Sequence, residues 1–143
     1  MKEEVRSTTI RACRVDDVQA VLALWRHADA TPGVTDTADD LRRAVTLSSA
    51  RILVAEAEGR LVGSIIGTFD GWRGNIYRLA VHPDHRRQGV ARALVAEVEK
   101  RLTRQGARRI TALVEKDHPW AMNFWEAVGY RVDERVVRRV RNP

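Results

Sequence analysis

With 143 residues, 44% of them hydrophobic, and a single cysteine, the chain (1–143) has the material of one domain with a sizeable core, and it excludes disulfide scaffolds and cysteine-based metal clusters. A net charge of +6 and a pI near 10.4 would suit an anionic partner. The arginines are nevertheless dispersed over both termini and several helix faces without interleaved aromatics, which favours a solvated basic surface over a nucleic-acid interface. No apolar run reaches about 18 residues, and Met1-Lys-Glu-Glu-Val-Arg6 lacks the apolar stretch of a secretory leader, so a cytoplasmic protein is expected.

Residues 8–14 alternate Ile10 and Ala12 against Arg11 and Cys13, the pattern of an edge or near-edge strand. Cys13 reads as a small strand side chain, because a nucleophile needs an activating base beside it. Asp16 or Asp17 caps a helix in which Val18, Val21, Leu22 and Trp25 form one apolar stripe, making Trp25 a core residue. After the turn-rich 28–36 segment a second short helix starts at Thr37, with Asp39 and Asp40 in its first turn and Leu41, Ala44, Val45 and Leu47 on its buried face. Residues 52–58, 61–70 and 75–82 read as an antiparallel meander joined by Glu58-Gly59-Arg60 and Asp70-Gly71-Trp72-Arg73-Gly74. Trp72, at the tip of the second turn, is either a lid or dimer contact or a partly buried loop aromatic. A long helix covers 88–105, with Ala91, Leu94, Val95, Val98 and Leu102 on one stripe and Gly106 ending it. The strand expected over 108–115 should run parallel to 76–81, since a helix connects the two. Pro119 opens a helix through 128, Gly129 ends it, and 130–133 and 135–140 are expected as the last strands, the latter shared with a second copy in one arrangement.

The stretch from Leu79 to Leu94 organises the rest. A mostly apolar strand ends at Val81-His82-Pro83, and from Val90 the apolar period changes from two to 3.6, so a polar turn feeds a helix N-terminus. Such a terminus leaves backbone N–H groups unpaired and carries partial positive charge. Gly89 and Ala91 keep the wall thin, and Arg86, Arg87 and Arg92 add charge, so the ligand implied is a diphosphate.

The pattern Arg86-x-x-Gly89-x-Ala91 resembles the acetyl-CoA pyrophosphate loop, (Gln/Arg)-x-x-Gly-x-(Gly/Ala), of the GNAT superfamily of N-acetyltransferases. Ala121-Met-Asn-Phe-Trp-Glu-Ala-Val-Gly-Tyr130 is similar to that family's Ala-x-x-Phe-Tyr-Glu-x-x-Gly-Phe segment, and the likeness extends from about Thr8 to about Val140. The resemblance implies an α/β (α+β) GNAT fold: a mixed, mostly antiparallel central sheet with a splayed parallel pair of strands, flanked by about four helices. It implies transfer of the acetyl group of acetyl-CoA, without a metal, to a primary amine of a small metabolite or a protein, by direct attack in a ternary complex. It places the cofactor on Arg86, Arg87, Gln88, Gly89, Val90, Ala91 and Arg92, with the pantetheine chain pairing to the backbone of Leu79, Ala80 and Val81. It also makes the first two helices and their loop one wall of the acceptor site, with residues near 32–36 helping to choose the substrate.

Two positions depart from the family pattern. Where many members carry a proton-donating Tyr this chain has Trp125, whose indole N–H can orient a departing thiolate by a hydrogen bond but cannot protonate it. His118 stands where an Asn often holds the pantetheine, and is either a ligand to that chain or a helix-start surface residue. Tyr77 alternates onto the face of Leu79 and Val81 and is the first candidate for a catalytic hydroxyl, the other reading being a core Tyr whose OH is tied to backbone. Arg78, on a central strand, must be paired, with Glu56 or Glu115 on neighbouring strands, or must meet a substrate carboxylate in the acceptor channel. Glu56, Asp70 and Asp117 are candidate bases that sequence does not rank, and His82 and His85 are given no role. A base is useful but not compulsory, because an alkylamine of pKa near 10.4 is about 0.04% neutral at pH 7. Two other classes compete: a non-catalytic acetyl-CoA sensor, suggested by Trp125, and nucleic-acid binding through Arg135-Val-Val-Arg-Arg-Val-Arg141.

Overall fold

The computed structural model describes residues 7–47 and 50–143; the N-terminal Met1–Arg6 stretch read above for a leader lies outside them. Two compact units are present, one ending at Leu113 and the other running over Val114–Pro143, and each is described by itself. The first holds strands β1 (Thr9–Ala12), β2 (Ala50–Ala57), β3 (Arg60–Phe69), β4 (Gly74–Val81) and β5 (Ile110–Ala112) with helices α1 (Val18–His27), α2 (Ala38–Thr46) and α3 (Val90–Gln105); the second holds α4 (Pro119–Ala127). The strands form one sheet in the order β1-β2-β3-β4-β5, antiparallel throughout except for the parallel β4–β5 pair.

Turn chemistry fixes the meander. Glu58 (φ 53°) and Gly59 (φ 76°) both take left-handed conformations, as a two-residue hairpin matched to strand twist requires. At the β3–β4 turn the Asp70 carboxylate accepts the N–H groups of Trp72 (2.8 Å) and Arg73 (2.7 Å). Trp72 is 72% exposed, with the Arg73 guanidinium 4.2 Å above its ring. Thr37 caps α2 by accepting the Asp40 N–H at 3.1 Å, and Gly106 (φ 117°) closes α3.

The sheet carries helices on both faces. On one, α1 and α2 bury Val18, Val21, Leu22, Trp25 and Leu41 against Ile52, Val54 and Ala80. On the other, α3 lies directly on two glycines of β3: a Cβ at Gly67 would stand 2.4 Å from Val98 Cγ2, and one at Gly63 2.9 Å from Val90 Cγ1. Leu53, Ile65, Leu94 and Leu102 are wholly buried. Each contributes about 1.5–3 kcal/mol of transfer free energy, which seats α3 on the sheet.

Several boundaries differ from expectation. Helix α3 begins at Val90 rather than 88, because the residue before it, Gly89, is left-handed. β5 is confined to Ile110–Ala112, where β4 lies alongside to pair with it, instead of 108–115. The strands expected over 130–133 and 135–140 are absent: no strand is formed among residues 130–143, and Val132, Val136, Val137 and Val140 are exposed. Alternating valines raise β propensity, but a strand exists only where its backbone groups are paired, and no partner strand serves this segment among the described residues.

Candidate active site

The site is built on an irregularity in β4. Ile66 pairs with Tyr77 and Ser64 with Ala80, so one residue of β3, Ile65, opposes two of β4, and the extra residue falls at Arg78–Leu79. Arg78 there has φ 52°, a left-handed conformation costing a non-glycine residue about 1–3 kcal/mol. Strict alternation fails across the bulge. Partners across a ladder share a face, so Tyr77 lies with Ile66, Ser64 and Ala80 on the α1 face, while Val81, paired with Gly63, lies on the α3 face. Tyr77 therefore does not share a face with Val81 as simple alternation required.

The parallel pairing with β5 stops early. Its register ends at Ile76–Ala112, and Leu113 N–H adds a last bond to the Ile76 carbonyl at 3.0 Å. From Tyr77 to Val81 the β4 backbone continues past the end of β5, so among the described residues no strand pairs with that side of Leu79, Ala80 and Val81, as an extended chain could. Ala80 and Val81 are buried, which restricts their contribution to backbone groups.

The Arg78 side chain meets a carboxylate carried by the α1–α2 loop. Its Nη2 donates to Asp36 Oδ2 at 2.6 Å, the two side chains being 21% and 18% exposed. Its guanidinium carbon stands 5.3 Å over the Trp25 ring, and Trp25 Nε1 donates to Ser64 Oγ at 2.9 Å in the interior. Asp36 Oδ2 also accepts the Gly33 N–H at 3.0 Å, and the Asp36 N–H returns to the Gly33 carbonyl at 3.1 Å. Ser64, Trp25, Arg78, Asp36 and Gly33 thus form one network joining β3, α1, the bulge and the α1–α2 loop. Trp25 is core, as its stripe implies, yet it also supports a cation. Asp36 lies in the 32–36 segment that the resemblance sets at the acceptor site, but neither its pairing with Arg78 nor the part of Ser64 follows from sequence; the available signal is that an arginine on a central strand demands a carboxylate.

Beyond β4 the chain makes a single 3₁₀ turn, Pro83–His85, capped by His82 Nδ1 accepting the Asp84 N–H at 3.1 Å. Arg87 (φ 63°) and Gly89 (φ 82°) are left-handed, which turns successive N–H groups into a concavity suited to an anion. The first bond of the α3 ladder runs from Ala93 N–H to the Gly89 carbonyl at 3.0 Å, so the N–H groups of Val90, Ala91 and Arg92 lie ahead of it. A Cβ at Gly89 would meet nothing within 4 Å: the space before the loop is open. Arg87, Gln88 and Arg92 are exposed around it, Ala91 is half-buried, and Val90 is buried and offers only its backbone. Arg86 turns inward, its Nη2 donating to the Ala28 carbonyl at 3.3 Å and so tying the loop to the C-terminal end of α1. These features fit a pyrophosphate, and with the open β4 edge beside them they fit coenzyme A.

In the second unit Trp125 is buried, its ring 4.9 Å from that of Tyr130 and 5.5 Å from that of Phe124, both edge-on. His118 starts α4, and its Nε2 lies 2.7 Å from Glu115 Oε2. Of the candidate bases, Glu56 accepts from Arg11 Nε at 3.3 Å. Asp70 is held below the usual carboxylate range by the backbone N–H groups of Arg73 and Trp72, which makes it a poor base. Burial pushes the Cys13 thiol up to about 11, which removes it as a nucleophile at neutral pH. Among the described residues no three His, Cys, Asp or Glu side chains are grouped to hold a metal, and no helix is long and apolar enough to cross a membrane.

Comparison with known proteins agrees with this geometry. The family model described as Acetyltransferase (GNAT) family matches residues 18–130. An acetyltransferase of Yersinia pestis (strain Pestoides F) is 34% identical over 128 residues, 90% of this chain and 91% of that protein. One of Pectobacterium atrosepticum is 38% identical over 121 residues, 85% of this chain and 86% of its own length. Among solved structures, a PaiA N-acetyltransferase from Thermoplasma acidophilum in complex with coenzyme A superposes with a TM-score of 0.82 at 17% identity, covering 90% of this chain and 92% of that one. An aminoglycoside N-acetyltransferase in complex with CoA gives 0.79 at 18% identity over the whole of both chains. The mixed sheet with its one parallel pair, the open loop at Gly89 and the family match together place this chain in the GNAT family, as an acetyl-CoA-dependent acetyltransferase.

Proposed function

We propose that the acceptor is a primary amine of a small metabolite or a protein, and that the amine attacks directly within a ternary complex. The observation that carries this reading is the β4 stretch from Tyr77 to Val81, left unpaired by β5 and beside an open loop suited to an anion, with the Arg78–Asp36 pair at its bulge. Acetyl-CoA supplies the acetyl group as an activated thioester. Backbone N–H groups of the bulged stretch are suited to polarising a carbonyl, because they are fixed donors that need no reorganisation. Backbone at 79–81 aligns the pantetheine chain, and Arg87, Gln88, Gly89, Ala91 and Arg92 hold the phosphates, with Arg86 bracing the loop from α1 and Val90 anchoring it in the core.

Tyr77 is our candidate for the group that manages the proton, its ring sharing the α1 face with Ala80 at the bulge. Trp125 is our candidate donor of an orienting hydrogen bond, and His118, held by Glu115, a candidate contact to the pantetheine chain. Arg78 is assigned to the acceptor. The test is a thiol-release assay with acetyl-CoA across polyamines, amino acids, aminoglycosides and short peptides, run beside calorimetry of acetyl-CoA alone. Turnover confined to one class of amine supports the reading. Tight binding with no turnover across the panel refutes it in favour of a non-catalytic acetyl-CoA sensor.

A further inference from the structure

The Arg78–Asp36 pair ties a surface loop to the strained centre of the site, and the way it does so bears on the acceptor. Arg78 sits on the bulge between Tyr77 and Leu79, where pairing with β5 has ended, so its guanidinium lies within one side chain's length of the open β4 edge. Its plane is supported by Trp25, which is itself pinned by Ser64, so the cation is held from the protein side. The carboxylate facing it comes from a loop, and the loop is closely applied: a Cβ at Gly33 would lie 3.3 Å from Arg78 Nη2. Asp36 belongs to a turn of its own making, because the Oδ2 that meets Arg78 also receives the Gly33 N–H. A fixed cation and a loop-borne anion, each about one-fifth exposed, have the form of a binding position filled by an internal surrogate.

We propose that Asp36 stands in for the carboxylate of the acceptor, and that this enzyme takes amines bearing a carboxylate, such as amino acids or peptide termini, which displace Asp36 from Arg78 and release the Gly33–Asp36 turn. The inference rests on the acetyltransferase reading for what happens to the amine, but not for the binding event. Guanidinium geometry matches a planar carboxylate, and the exchange replaces one carboxylate at Arg78 with another. Neutral acceptors have no means of opening the pair. Asp36 therefore sets selectivity by competition: it shields Arg78 from weak ligands and yields to an anion delivered in register with the thioester.

The test uses the full chain saturated with CoA and follows the Gly33 and Asp36 amides by NMR during titration with N-acetylglycine, which carries the carboxylate of the smallest acetylated amino acid. N-Acetylglycinamide, the same size without the charge, is the control. Saturable shifts of both amides are expected with N-acetylglycine and none with the amide. Asp36→Asn keeps an acceptor for the Gly33 N–H but removes the competing charge, and should bind N-acetylglycine about five- to tenfold more tightly, with CoA affinity unchanged. Arg78→Gln should lose the response. Equal binding of the neutral amide, no saturable shift, or an Asp36→Asn variant that binds no more tightly would overturn the proposal. Saturable, carboxylate-dependent shifts in a protein that releases no thiol with any amine would uphold the exchange and refute turnover alone.

Discussion

Replacing Trp25 with Phe breaks the buried hydrogen bond to Ser64 that fixes the ring beneath the Arg78 guanidinium. Ser64 is wholly buried and Trp25 is 5% exposed, so no water can replace the indole N–H that now donates to Ser64 Oγ at 2.9 Å. Leaving that hydroxyl without its donor costs about 1–3 kcal/mol. The smaller ring and the weakened contact to the Arg78 guanidinium add about 1 kcal/mol. A total near 3 kcal/mol, with a urea m-value of about 2 kcal/mol/M, lowers the unfolding midpoint by about 1.5 M. The decisive comparison is the double variant Trp25→Phe/Ser64→Ala, which removes donor and acceptor together. It should recover about 1–2 kcal/mol relative to the sum of the two single changes. Strict additivity, with a coupling below about 0.3 kcal/mol, would refute the assignment of an energetically significant bond between α1 and β3.

Three further outcomes are expected. Gly67→Ala places a Cβ 2.4 Å from Val98 Cγ2 and should cost about 1–3 kcal/mol in urea unfolding, partly restored by Val98→Ala; no loss would mean α3 is not seated on β3 as described. Asp17 is held below the usual carboxylate range chiefly by Arg11, whose Nη1 and Nη2 reach it at 2.7 and 3.0 Å. Its folded pKa lies below its unfolded one, so its contribution is complete above the unfolded value and is lost as pH falls through the folded value. Wild type should thus exceed Asp17→Asn in stability at pH 7, with the gap closing in acid; a gap independent of pH would contradict the ion pair. Tyr77→Phe should lower turnover by about tenfold or more while leaving acetyl-CoA affinity unchanged, whereas unchanged turnover returns the residue to the core.

What could be read from sequence was whatever depends on local chemistry. Thr37, Pro119 and Gly106 mark helix ends because capping and φ preferences act within a few residues. Glu58-Gly59 specifies its hairpin for the same reason. The junction between β4 and α3 was legible because Pro83 stops the strand and the apolar period changes at Val90, both local signals. The rest depends on partners distant in sequence. Nothing local announces that Arg78 turns left-handed, yet that one dihedral transfers Tyr77 to the face opposite Val81. Nor does the Pro-Gly-Val-Thr-Asp turn announce that Asp36 will meet a guanidinium forty-two positions later. The valines at 136, 137 and 140 show the complementary failure: a strand-like pattern that forms no strand.

The central claim is that the junction after β4 is the phosphate-binding loop for acetyl-CoA. Calorimetric titration of acetyl-CoA into wild type and Gly89→Val, with folding checked by circular dichroism, tests it most directly. A valine at φ 82° strains the turn and projects into the open space before the loop. If about two charge-assisted backbone hydrogen bonds are lost, affinity should fall by about a hundredfold or more in a protein that still folds. Equal affinity in the two proteins would contradict the account.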